Sequence, residues 1–222
     1  MSAVASWSGG KDSALALQLA IEAGVRPAVL LTMLTEDGER SRSHGLPVAV
    51  LEAQAAALGL PLVTRPASWE TYTEVFVEAL RSLDVTEAVY GDIDIEDHRL
   101  WCERACAAAG LVRRHPLWQR PRRELVAELL RRGFRATIVT VRGDVLDREL
   151  LGRELDDALA DDLEAAGADA CGENGEYHTV VTDGPLFSEP VRLEHGGRVF
   201  RGGCWCLEVR IVDGATALAM RD

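Results

Sequence analysis

The hexapeptide Ser8, Gly9, Gly10, Lys11, Asp12, Ser13 combines residue types suited to holding polyphosphate. Two adjacent glycines let backbone N–H groups approach an anion without a Cβ in the way. Ser8 and Ser13 add hydroxyl donors, and Lys11 adds a compact positive charge. Asp12 allows two readings, a Mg²⁺ contact or a carboxylate favoured by the dipole of a helix first turn. The segment is neither a GxxxxGK[ST] loop nor a GxGxxG fingerprint.

A second concentration of chemistry lies at Gly172 to Thr179, where Glu173, Glu176, Tyr177 and His178 crowd into one glycine-flanked stretch. Gly172 and Gly175 are suited to exposing backbone donors. Glu173 and Glu176 are suited to ammonium, a cationic substrate or Mg²⁺, and His178 to accepting a proton near neutral pH. Tyr177 and Thr179 join the substrate side of this stretch. Asp92, Arg99 and Glu103 form a third group, and His44 with Gly45 a fourth.

The elements that must position these groups follow from hydrophobic patterning. Ala3 to Trp7 is an apolar run of strand length, directly before the glycine pair, and Ala14 to Ile21 follows at helical density. The loop therefore opens a helix, where unsatisfied donors and the helix dipole favour an anion. Strands are expected at Ala28 to Leu34, Pro61 to Arg65 and Glu87 to Tyr90. Helices are expected at Leu46 to Leu58, Tyr72 to Leu83 and Arg99 to Ala109. This alternation predicts a Rossmann-like parallel sheet with helices on both faces over residues 1–120. Asp92 then falls at a strand's C-terminal end, where such sheets bind ligands, and His44 falls in the loop after the second strand. Arg99 and Glu103, early in the following helix, are placed to orient substrate, and Trp101 to pack.

From Pro121 the alternation weakens. A helix over Arg122 to Arg132, a strand at Ala136 to Val141, short acidic helices through Leu163 and then extended segments broken by glycine predict a smaller C-terminal α+β region over 121–222, assigned to substrate.

Composition bounds the partners. The 222 residues are 47% hydrophobic and 27% charged with net charge −12, an ordinary globular balance whose field disfavours nucleic acid and anionic membranes. No apolar stretch approaches the roughly 20 residues of a spanning helix. Five cysteines without framework spacing, and no basic-then-apolar leader, point to a soluble protein in a reducing cytoplasm. Cys102/Cys106 and Cys204/Cys206 read as packed thiols rather than metal ligands, and no protein metal centre is expected.

The SGGKDS loop after a first strand resembles the PP-loop ATP pyrophosphatases. GDIDIEDHRLWCE (91–103), PLW (116–118), CGENGEYHTVVTDGPLF (171–187) and the His44–Gly45 pair narrow the resemblance to the diphthine–ammonia ligase, or diphthamide synthase, family, over most of the chain. That resemblance implies an adenine nucleotide alpha hydrolase-like fold. It also implies an ATP-dependent ligase that adenylates a carboxylate, amidates it with ammonia and releases AMP and pyrophosphate. ATP is implied at Ser8 to Ser13 and His44, with Mg²⁺. Catalytic roles are implied for Lys11, Asp12, Glu173, Glu176 and His178. The implied acceptor is diphthine on elongation factor two, and a homodimer is compatible. The phosphate loop by itself leaves two alternatives open: a different acceptor in a bacterial setting, or an ATP-binding module without ligation.

Overall fold

The computed structural model describes residues 2–212. Its first half is a five-stranded parallel sheet made of β1 (Ser2–Ser6), β2 (Arg26–Leu34), β3 (Leu62–Pro66), β4 (Glu87–Val89) and β5 (Val112–Arg114). The strand order is β3-β2-β1-β4-β5. Between consecutive strands run α1 (Lys11–Glu22), α2 (Val48–Leu58), α3 (Tyr72–Ser82) and α4 (Glu96–Ala109). The expected Rossmann-like α/β architecture is present. The winding direction reverses between β1 and β4, so the crevice of the sheet opens beyond the C-terminal ends of these two strands.

The two faces of the sheet bury different sets. Trp7, Leu15, Leu17, Leu30, Leu51 and Val89 belong to one core, which continues into the C-terminal half. Val4, Leu31, Phe76, Tyr90, Cys102 and Cys106 form the other, under α3 and α4. Alternation along β1 and β2 explains this split, since successive side chains point to opposite faces.

After α5 (Arg122–Arg131), a four-stranded antiparallel sheet follows, of β6 (Arg135–Arg142), β7 (Tyr177–Asp183), β8 (Leu193–Arg201) and β9 (Cys204–Ile211) in the order β7-β6-β9-β8. The acidic stretches become a single 3₁₀ turn at Arg148–Leu150 and one helix, α6 (Asp157–Ala165), whose first turn Asp156 caps by accepting from the Leu159 amide. β7 bonds back to the first half, with the Val181 amide donating to the Gly9 carbonyl at 2.9 Å. The GENGEY segment is thereby carried to the phosphate loop.

Two boundaries differ from expectation with consequences for the site. α2 starts at Val48 because Pro47 supplies the N-cap. α4 starts at Glu96, so Arg99 lies one turn inside the helix rather than at its mouth.

Candidate active site

A cleft of about 460 Å³ opens at the switch point. Its wall comes from the end of β1 and the start of α1 (Ser6, Ser8, Lys11, Asp12, Ser13), the loop after β2 (Ser43, His44), the loop after β4 with the first turn of α4 (Tyr90 to Asp92, Ile95, His98), and the segment before and into β7 (Gly172 to Gly175, Tyr177, His178). Segments separated by more than 160 residues thus share one cavity.

The phosphate loop is held from behind. Gly9 has φ +81°, a left-handed conformation that glycine adopts without strain. Its carbonyl accepts from Gln54 Nε2 at 2.9 Å as well as from Val181. Gln54 is fully buried and also accepts from the Trp7 indole at 3.0 Å and donates to the Val181 carbonyl at 2.7 Å. Thr179 Oγ1 accepts from the Lys11 amide at 3.1 Å, while Ser13 Oγ donates to the Gly10 carbonyl at 2.9 Å. The Asp12 and Ser13 amides, in the first helical turn, have no intrahelical acceptor available and flank the cleft.

Gly10 is required by close approach. A Cβ there would stand 2.1 Å from His44 Cε1 and 3.1 Å from the Thr179 carbonyl oxygen. Gly10→Ala is therefore expected to push His44 off Thr179 and lower stability by about 1–3 kcal/mol, read as a fall in the denaturant midpoint together with weaker ATP binding.

Lys11 is buried, with Nζ 2.8 Å from Asp12 Oδ2 and 5.0 Å from the centre of the Tyr177 ring. Burial disfavours its charge, but the Asp12 carboxylate and Tyr177 outweigh that cost, and its pKa lies above the usual lysine value. The ammonium is permanent. Tyr177 is itself fixed by its hydroxyl, which donates to the Ala170 carbonyl at 2.5 Å.

His44 and His178 lie with ring centres 4.6 Å apart. His44 Nδ1 donates to the Thr179 carbonyl at 2.8 Å. Burial pushes His44 down to about 4 despite that bond, with Lys11 adding to the shift. Burial, then His44 and Lys11, also hold His178 well below the ordinary histidine value. Both rings are neutral at physiological pH, and His178 is a weak base in this setting.

Glu173 behaves in the opposite way. Burial and the neighbouring Asp12 charge push its carboxyl up to about 7, although the Ile93 amide donates to Oε1 at 3.2 Å. Asp92 works against its own burial through His115 and His98, which sit 3.5 Å from its two carboxylate oxygens and hold it below the usual carboxylate range. Cys102 Sγ donates to Asp92 Oδ2 at 3.6 Å and Tyr90 stacks on His115, so Asp92 is anchored from the core side. Two carboxylates in one cleft are thus driven apart in pKa, a pattern associated with divided acid–base roles.

Several sequence-expected residues stand elsewhere. Arg99 and Glu103 pair with each other at 3.0 Å on the flank of α4, outside the cleft wall, because the helix begins a turn earlier than its pattern suggested. Glu176 is turned away from the cleft: Oε1 accepts from the Asp169 amide at 3.4 Å and from Asn174 Nδ2 at 3.1 Å, bracing the loop that carries Glu173. Thr179 and Gly9 support the phosphate loop from below. Ser8, Gly10, Lys11, Asp12, Ser13, His44, Asp92, Gly172, Glu173, Gly175, Tyr177 and His178 are gathered at or against the cavity.

Four contributors escaped the sequence reading. Gln54 is an amide in an otherwise mostly aliphatic stretch of α2, a signal of a buried polar strut. His98 lies within the GDIDIEDHR segment and reaches the cleft one residue before the arginine that drew notice. Asp169 accepts from the Cys171 and Glu173 amides at 2.7 and 2.9 Å and pairs with Arg122, which also holds Asp94. Arg122 therefore ties the loop after β4 to the loop before β7. No local pattern marked that pair.

Comparison with known proteins decides the family. The diphthamide synthase N-terminal domain family matches residues 1–113, and the diphthamide synthase C-terminal domain family matches residues 122–210. The chain belongs to the diphthamide synthase family. Proteins named diphthine–ammonia ligase match it at 27% identity in Schizosaccharomyces pombe and 29% in Rattus norvegicus, over 84% of this chain in both cases. The alignment spans 35% of the yeast protein and 80% of the rat protein, so the chain covers about a third of the former's length. A solved structure described as a predicted subunit of a tRNA methyltransferase from Methanocaldococcus jannaschii aligns with TM-score 0.48 and 15% identity, covering 83% of this chain and 98% of that one. Among the described residues, no helix is long and apolar enough to cross a membrane.

Proposed function

We propose that this chain is an ATP-dependent ligase that amidates the carboxylate of diphthine on elongation factor two, with ammonia as nitrogen donor and AMP and pyrophosphate as products. The observation that carries this reading is that a fixed cationic anion site (Lys11 and the α1 amides) and a carboxyl that titrates near neutrality (Glu173) face the same cleft. The relatives' names supply the acceptor class. The unpaired thiols of all five cysteines suit a reducing cytoplasm.

In the first half-reaction a carboxylate oxygen of the acceptor attacks the α-phosphorus of ATP, and the bond to the β-phosphate oxygen breaks. The charge that grows on the departing pyrophosphate is met by the Lys11 ammonium and the Asp12 and Ser13 amides in the first turn of α1. Such donors are effective because they are already oriented and need no rearrangement. Neutral His44 and His178 line the same wall without adding charge. In the second half-reaction ammonia attacks the acyl carbon and AMP leaves. Ammonium is the abundant form at neutral pH, and Glu173, ionised above about pH 7, takes its proton.

Mg²⁺ fits the chemistry of the donors. Asp12 is a hard oxygen donor at the loop's rim, and Mg²⁺ commonly takes one or two carboxylates together with phosphate oxygens. When bound, the ion supplies charge neutralisation of the polyphosphate.

Purified protein given ATP, Mg²⁺, ammonium and diphthine-bearing elongation factor two is expected to form one AMP and one pyrophosphate per amide. ADP and inorganic phosphate in their place would overturn the adenylate route.

A further inference from the structure

The amidation half-reaction releases two protons. One leaves ammonium to give ammonia, and one leaves the nitrogen after it has bonded to the acyl carbon, as the C–O bond to AMP breaks. A single carboxylate cannot accept both in one turnover without returning the first to solvent. We propose that His98, aligned by Asp92, is a catalytic base that takes the second proton from the attacking nitrogen. This assignment rests on the ligase reading above.

The geometry supports it in three ways. His98 lines the cleft from the first turn of α4, in the same cavity as Glu173 and the phosphate loop. Its Nδ1 lies 3.5 Å from Asp92 Oδ1, so Nε2 is the ring nitrogen left for substrate. The other Asp92 oxygen accepts from the Cys102 thiol at 3.6 Å, with the His115 ring packed 3.5 Å away, and this holds the carboxylate beside the exposed imidazole. This is the arrangement of a base oriented by a third group.

The charged neighbours of His98 are Asp92 in direct contact, then Glu173 across the cleft and Asp97 on its own helix. All are acidic, and together they raise its pKa above the ordinary histidine value, led by the Asp92 bond. Lys11 and Asp12 stand further along the wall, where they act on Glu173. Imidazole in this setting is a stronger proton acceptor than His44 or His178, both disabled by burial.

The test separates the two protons. Amide formation is measured for His98→Asn and Glu173→Gln in single turnovers, with ATP–pyrophosphate exchange in the absence of ammonia as the readout of adenylation. His98→Asn is expected to retain exchange and to lose roughly 10²–10⁴-fold in amide formation, and His98→Ala to regain amide formation when imidazole is added. At alkaline pH, where free ammonia is abundant, Glu173→Gln should recover and His98→Asn should not. Recovery of His98→Asn there would place His98 on the first proton and overturn the assignment, as would an amide rate within threefold of wild type. Loss of exchange in His98→Asn alone would move the residue to the adenylation step and also overturn it. Absence of exchange in the wild-type protein would instead overturn the ligase reading itself.

Discussion

Glu173→Gln is expected to cut amide formation at neutral pH by roughly 10²–10⁴-fold, the range associated with removal of a positioned general base. The wild-type rate should rise with pH through about 7 as Glu173 ionises, since the carboxylate is the working form. In the glutamine variant the part of this limb that belongs to Glu173 should vanish, leaving the dependence on free ammonia and on His98. The physical origin is local. Glu173 is half-buried and stands near Asp12, and the 3.2 Å bond from the Ile93 amide and the Lys11 charge offset these only in part. ATP–pyrophosphate exchange should be nearly untouched, because in the proposed reaction Glu173 meets the nitrogen donor rather than the polyphosphate. A wild-type profile flat between pH 6 and 8, with rate-limiting amidation established, would remove Glu173 from the base role.

The same shift makes a statement about stability. The folded-state pKa of Glu173 is raised from an ordinary value of 4.5 to about 7, so between these values the native state binds more protons than the unfolded chain. Its contribution to stability is present below 4.5 and is lost as pH rises through 7. Glutamine removes that loss. The variant disabled in chemistry should therefore gain on the wild type in thermal midpoint as pH rises from 5 to 8, the trade expected where a charged group is held in an unfavourable place for function.

The parallel sheet was legible because its strands are continuous apolar runs and its helices show clear periodicity. The phosphate loop was legible because strand, glycine pair and helix are contiguous in sequence. The composition of the rest of the cleft was less so. Glu173 and Glu176 are equivalent by type and spacing, and only the fold separates them: one faces the cavity, while the other braces the turn through Asn174 and the Asp169 amide. Arg99 and His98 are adjacent, and a three-residue difference in where α4 begins decided which of them reaches the cleft. Gln54 works through Gly9 and Val181, 45 and 127 residues away, and Arg122 through Asp169, 47 residues away. Periodicity reports which face a residue occupies, and says nothing of which distant loop that face will meet.

Lys11→Met should slow adenylation sharply while leaving the fold in place. The ammonium is buried beside Asp12 and over the Tyr177 ring, and its raised pKa keeps it charged across the working range, so it contributes no pH dependence of its own. Methionine is of similar length and apolar, and removing one member of a buried ion pair costs least where the partner left behind retains access to water. Asp12 does, with its side chain about a quarter exposed. The loss falls instead on the polyphosphate. In the ground state ATP forgoes one point charge. In the transition state the growing charge on the pyrophosphate oxygens forgoes the same cation at the moment it is most needed, so the rate should fall more than the affinity. A reduction of roughly 10²–10³-fold in pyrophosphate exchange is expected, on the scale of removing one oriented electrostatic donor. Titration with a non-hydrolysable ATP analogue reads the ground-state part, exchange reads the whole, and the denaturant midpoint guards against unfolding. Tight analogue binding with unchanged exchange would move the phosphates away from Lys11, and the α1 amides alone would then have to account for the anion site.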